Sequence, residues 1–94
     1  MKPQFLSIIV PAKNEEQTLG ALVERIHSAL SHDKISYEII YVDDRSTDGS
    51  LLLMERLAKQ YPVRIHQKRG KAGKAYSILE GAKLARSQWL VMID

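Results

Sequence analysis

Residues 37–50 read YEIIYVDDRSTDGS. The first six, YEIIYV, are β-branched or aromatic apart from Glu38, the composition of a buried strand. Asp43 and Asp44 follow without a spacer, and then Ser46, Asp48 and Gly49 bring turn and helix-capping chemistry. Two carboxylates side by side at the end of a buried strand repel each other and are costly to desolvate. Ser46 or Asp48 is enough to cap the helix that follows, so capping does not account for the pair. Backbone donors or a ligand must receive them.

The segments on either side set the fold. FLSIIV (5–10) reads as a first strand ending at Pro11. Asn14 is placed to cap the next helix, with Glu15 and Glu16 in its first turn, where acids suit the helix dipole. Leu19, Leu22, Val23, Ile26 and Leu30 recur at helical spacing and carry that helix to about Ser31. After the second strand, Leu53, Leu57 and Tyr61 share one side of a second helix stopped by Pro62. VRIHQ (63–67) is a third strand. A third helix is expected over 72–86, with Ile78, Leu79, Ala82 and Ala85 facing inward. WLVMI (89–93), apolar throughout, is a fourth strand.

This alternation of strand and helix with short connections predicts a three-layer α/β/α fold around a parallel sheet, Rossmann-like, with strand order 3-2-1-4. In such sheets ligands bind beyond the carboxyl ends of the strands, where the order reverses. Glu15, Asp43, Asp44 and Asp94 all stand at strand ends and are expected to converge on one crevice. A group of carboxylates there calls for a metal ion, hydrogen-bond donors or both. A ligand with phosphates, a divalent cation and an N–H-bearing base supplies them. The chain stops at Asp94, directly after a strand, which reads as the N-terminal part of a longer protein.

Composition narrows the classes. The chain has 94 residues, no cysteine and a formal charge of +3. A disulfide scaffold and a thiolate metal site are excluded. No apolar run reaches the ~20 residues that span a bilayer, and the N-terminus lacks the core of a signal peptide. A cytoplasmic protein is the expectation. No acid lies between Glu55 and Glu80, whereas Arg56, Lys59, Arg64, Lys68, Arg69, Lys71 and Lys74 all do. The QKRGKAGKA stretch, with Gly70 and Gly73, therefore reads as a loop for an anionic partner. Nucleic acid is not expected, because exposed aromatics for base stacking are lacking.

Familiar phosphate devices do not match. PAKNEEQ has no glycine for a dinucleotide fingerprint, and KRGKAGKA departs from the P-loop at Lys68 and Ala75. A receiver-like regulatory module also carries paired acids after a strand, but they should follow its first strand, not its second.

SIIVPAKNEEQTLGALVERI, YEIIYVDDRSTDGS and WLVMID together resemble the N-terminal half of a family 2 glycosyltransferase of the GT-A fold, closest to the dolichyl- or polyprenyl-phosphate sugar synthases. The resemblance implies that Pro11, Ala12, Lys13 and Glu15 line a nucleotide pocket. It implies that Asp43, Asp44 or both hold the nucleobase, and that Lys71 and Lys74, with Lys68 and Arg69, attract the diphosphate. Asp94 matches the first acid of a D-x-D motif that binds Mg²⁺ or Mn²⁺. The implied donor is a UDP- or GDP-sugar and the implied acceptor a polyprenyl phosphate, which would place the full-length protein at the cytoplasmic face of a membrane. The catalytic base is expected beyond residue 94, so these 94 residues alone should be inactive.

Overall fold

The computed structural model describes residues 4–93. Its elements run β1 (Phe5–Ala12), α1 (Glu16–His32), β2 (Ser36–Asp43), α2 (Ser50–Leu57), β3 (Val63–Gln67), α3 (Lys74–Leu84) and β4 (Leu90–Met92). The four strands are parallel and lie in the order β3-β2-β1-β4. Right-handed crossovers in opposite directions put helices on opposite faces of such a sheet. Accordingly α1 and α2 pack together on one face, and α3 lies across β1 and β2 on the other.

The sheet is apolar on both sides. Ile8, Val10, Tyr37, Ile39 and Tyr41 meet Leu19, Val23, Ile26 and Met54 on the α1/α2 face. On the other face, Ile9, Ile40 and Val42 meet Ala82, Leu84 and Ala85. Strand β1 does not stop at Pro11 but continues through Pro11 and Ala12, paired with Val42 and Asp43. The ladder toward β4 uses Ser7 N–H and the Ile9 carbonyl. By the alternation of a parallel ladder, the donor missing from Pro11 falls on that side, past the last β1–β4 pair at Met92. The proline costs β1 no bond to β2.

Helix α3 departs most from expectation. It begins at Lys74, because Gly73 adopts φ 116°, and it ends at Leu84, because Ala85 is extended. Leu79 does not face inward; it is 58% exposed. The buried positions are Ser77 and Gly81, small residues that let the helix axis approach the sheet closely. Helix α2 stops at Leu57; Leu53, Leu57 and Tyr61 pack against the core as expected, and Met54 and Ser50 are its fully buried residues.

The far end of α3 is fixed by a polar cluster. Glu38, 4% exposed, accepts bonds from Ser7 Oγ (2.6 Å), Arg64 (2.8 Å) and Arg86 N–H (2.7 Å). Arg64 also donates to the Leu84 carbonyl, and Ser87 N–H to Ser7 Oγ. Burial pushes the Glu38 carboxyl up, but the bonds from Ser7, Arg64 and Arg86 outweigh it and hold the group below its usual range. Among the described residues, no buried side-chain nitrogen or oxygen lacks a partner.

A Cβ on Gly81 would lie 2.6 Å from Ile9 Cγ2 and 3.2 Å from Val42 Cγ2. Gly81→Ala should therefore push α3 off the sheet and cost about 1–3 kcal/mol despite alanine's better helix propensity. A lowered denaturation midpoint of the intact protein checks this; an unchanged or raised midpoint contradicts it.

Candidate functional site

The turns after β1 and β2 lie side by side, and each supplies what the other lacks. Asn14 takes φ 55°, a left-handed conformation that Asn tolerates better than most residues. Its Oδ1 accepts the N–H groups of Thr47 (2.8 Å) and Asp48 (3.2 Å), and its own N–H donates to Ser46 Oγ (3.0 Å). Glu15 N–H donates to Ser50 Oγ at 2.9 Å. Asp48 accepts the N–H of Ser50 at the start of α2 and that of Glu16 at the start of α1. The leading donors of two helix N-termini are thus satisfied by one pair of turns, those of Glu15 and Glu16 across the interface. Asn14 serves the neighbouring turn rather than its own helix, and Ser46 serves the β1–α1 turn rather than capping α2. Asp48 is not an N-cap residue, since those positions are Glu15 and Gly49, but its carboxylate receives the first N–H of both helices. The bond from Ser50 leads in holding its carboxyl below the usual range.

The adjacent acids divide their work. Asp43 is buried; its Oδ1 accepts the Tyr41 hydroxyl (2.6 Å) and its Oδ2 the Ser46 N–H (3.1 Å). Burial, with Asp43 alongside, pushes the Tyr41 hydroxyl far above the phenol range, so it stays a donor. Asp44 is only partly covered. Its Oδ1 pairs with Arg45 (2.9 Å), and its Oδ2 accepts Gly73 N–H (2.9 Å) and lies 3.4 Å from Lys68 Nζ. The Gly73 N–H leads in holding its carboxyl low; Lys68 and Arg45 add to this against the opposing effect of burial.

The basic loop is anchored rather than loose. Lys68, read from the sequence as a surface cation for phosphate, is 3% exposed, and its Nζ donates to the Gly73 carbonyl at 2.7 Å. Arg45, at φ 62°, donates to the carbonyls of Arg69 and Gly70 and so straps the loop to the end of β2. Lys71 sits over the Tyr76 ring, its Nζ 5.5 Å from the centroid.

Beyond the carboxyl ends of β1 and β4, where the strand order reverses, opens a crevice of about 710 Å³, within the size range of small-molecule sites. Pro11, Ala12, Lys13, Glu15, Asp44 and Lys74 line it, together with Ser77 and the Thr18–Arg25 flank of α1. Of the site residues expected from the sequence, those six come together. Asp43 and Lys71 are not in its lining, and Asp94 lies outside the described residues. No three His, Cys, Asp or Glu side chains among the described residues are grouped so as to hold a metal ion. Nor is any described helix long and apolar enough to cross a membrane.

A parallel α/β sheet with a strand-end crevice at its switch point defines the Rossmann-like fold class. Residues 7–94 match the model of Glycosyl transferase family 2, and the chain belongs to that family. A dolichol-phosphate mannosyltransferase of Pyrococcus furiosus is 33% identical over 89 residues, covering 95% of this chain and 25% of that protein. The dolichol-phosphate mannosyltransferase of Saccharomyces cerevisiae is 37% identical over 90 residues, covering 94% and 34%. A dodecaprenyl-phosphate galacturonate synthase of Rhizobium johnstonii is 33% identical over 91 residues, covering 95% and 27%. The chain therefore spans between 25% and 34% of the length of these relatives. Among solved structures, a mannosyltransferase from Pyrobaculum calidifontis in complex with GDP-Man and Mn²⁺ superposes with a TM-score of 0.76 at 26% identity, covering 90% of this chain and 25% of that one. The likeness to GT-A family 2 enzymes expected from the sequence is borne out.

Because Asn14 Oδ1 carries two backbone donors, Asn14→Ala should cost about 1–3 kcal/mol, while Asn14→Asp, which keeps the acceptor, should cost less. Denaturation of the two variants ranks them; equal stability of Asn14→Ala and the unaltered protein would remove the clasp from the account.

Proposed function

We propose that the intact protein is a glycosyltransferase that takes a sugar from a nucleoside-diphosphate donor and passes it to a polyprenyl phosphate at the cytoplasmic face of a membrane. The observation that carries this is the crevice at the β1/β4 switch point, lined by Pro11, Ala12, Lys13, Glu15, Asp44 and Lys74 in a family 2 chain. The names of the relatives and the GDP-Man and Mn²⁺ of the Pyrobaculum structure support the substrate classes.

In this reading Pro11, Ala12, Lys13 and Glu15 form the wall against base and ribose. Asp44 accepts a ring N–H of the nucleobase, and a base without that donor leaves a desolvated acceptor unpaired. Asp43 contributes from behind, holding the turn through Tyr41 and Ser46. Lys74 at the crevice and Lys71 beside it attract the diphosphate. A divalent cation, Mg²⁺ or Mn²⁺, belongs to the reading at Asp94; the described residues form no ligand set for it.

Titration of the intact protein with UDP and GDP, with and without Mn²⁺, tests the reading. Expected is metal-dependent tightening for one nucleotide, lost in Asp94→Ala, and a loss of about 1–3 kcal/mol in Asp44→Asn. Indifference to both nucleotides, with an aspartyl phosphate formed from acetyl phosphate, would overturn it in favour of a receiver-like module.

A further inference from the structure

Lys68 is the one cation of the basic loop that solvent does not reach: its side chain is 0% exposed. Burying an ammonium is costly unless it is paired and hydrogen-bonded, and here both conditions hold. Its Nζ donates to the Gly73 carbonyl at 2.7 Å and lies 3.4 Å from Asp44 Oδ2. Gly73 in turn donates its N–H to that same Oδ2 at 2.9 Å. Ammonium, glycine and carboxylate thus close a ring of three contacts. The ring joins the end of β2, the end of β3 and the start of α3. Gly73 is held at φ 116°, where a side chain is strained.

The ring decides what Asp44 has left to offer. A carboxylate has about four lone-pair positions. Gly73 and Lys68 engage Oδ2, and Arg45 engages Oδ1. The remaining capacity is on Oδ1, on a group that lines the crevice. Fixing Oδ2 from beneath therefore fixes the rotation of the whole carboxylate. The same anchor sets where α3 begins, and with it Lys74 and Ser77 of the crevice wall.

We propose that Lys68 is a positioning residue of the nucleotide site: its buried ammonium locks Asp44 and the Gly73 turn into one unit, so that the acceptor shown to a nucleobase and the first turn of α3 hold a common geometry. The inference rests on the nucleotide reading above. It removes Lys68 from the set of direct phosphate contacts.

The charged groups around Asp44 are Arg45 on its own turn, Lys68 at the end of β3, and Lys13, Glu15 and Lys74 along the crevice. The Gly73 N–H first, then Lys68 and Arg45, hold the Asp44 carboxyl low, so it stays ionised through the ordinary carboxylate range and for some distance below it. Taking Lys68 away removes one cause of that depression. The acid limit of nucleotide binding then moves to higher pH.

The test is Lys68→Met in the intact protein, a substitution that keeps the apolar stem and removes the ammonium. In the ligand-free protein, amide exchange across residues 69–77 should accelerate while the core strands β1 and β2 stay protected. Affinity for the preferred nucleoside diphosphate should fall roughly tenfold (about 1.4 kcal/mol), with its acid limit at higher pH. The parent nucleoside without phosphates should lose a similar factor. Adding Lys68→Met to Asp44→Asn should cost clearly less than the sum of the two single losses, because the lysine acts in large part through the acid.

A loss seen only with the diphosphate would make Lys68 a phosphate contact and overturn the proposal. Unchanged exchange over 69–77, or additive losses in the double variant, would overturn it as well. If Lys68→Met does not fold, Lys68→Met/Asp44→Asn, which removes the buried charge pair together, supplies the exchange measurement, and protection of 69–77 equal to that of the unaltered protein counts against the clamp. If the unaltered protein binds neither UDP nor GDP, the nucleotide reading itself has failed, and Lys68 loses the site it is proposed to serve.

Discussion

Where two parallel strands end side by side and each feeds a helix, backbone N–H groups accumulate without acceptors. This protein meets that constraint by lending acceptors from one turn to the other. Asn14 Oδ1 serves Thr47 and Asp48; Ser50 Oγ serves Glu15; Asp48 serves both Glu16 and Ser50. The positions of Glu15 and Lys13 at the crevice, and the entry angles of α1 and α2, follow from that exchange. It also gives a physical reason for finding an N-E pair after the first strand together with S-x-D-G-S after the second. Neither stretch is satisfied alone, because each holds the other's donors.

Element order, sheet direction and the place of the crevice were legible in the sequence because each rests on a coarse signal. β-Branched runs, helical spacing in α1 and the alternation of strand with helix are hard to misread, and handedness then leaves few topologies. The inward face of α3 was not legible. Hydrophobic period favours Leu79, but the sheet there accepts a helix only at close range, and Ser77 and Gly81 allow it. Pro11 looked like a stop because the side of the ladder on which a donor is missing depends on where the neighbouring strand ends. Composition cannot show that.

The acidic and basic stretches posed a problem of the same kind. Two adjacent aspartates on an extended chain point to opposite sides, so one pair of letters describes two environments. Asp43 turns toward the interior and Tyr41, and Asp44 toward the loop and the crevice. Four cations in seven residues, 68–74, likewise read as one patch, yet Lys68 is inside, Lys71 lies on an aromatic ring and Lys74 faces the crevice. Spacing announces that charge is concentrated. Which charge is structural depends on backbone carbonyls and N–H groups that a sequence does not display.

The Glu38 cluster bears on the order in which the chain assembles. Its bonds join residues 31, 48 and 80 positions apart: Ser7 to Glu38, Glu38 to Arg86, and Ser7 to Ser87. The first needs β1 and β2 already in register, the other two bring the segment after α3 back to that pair, and the bond from Arg64 needs β3 as well. Contacts of such separation form late, once shorter closures have reduced the chain's freedom. The end of α3 is therefore sealed after the sheet it covers, and until then Ser7 and Glu38 stand open to water on a face that is otherwise apolar.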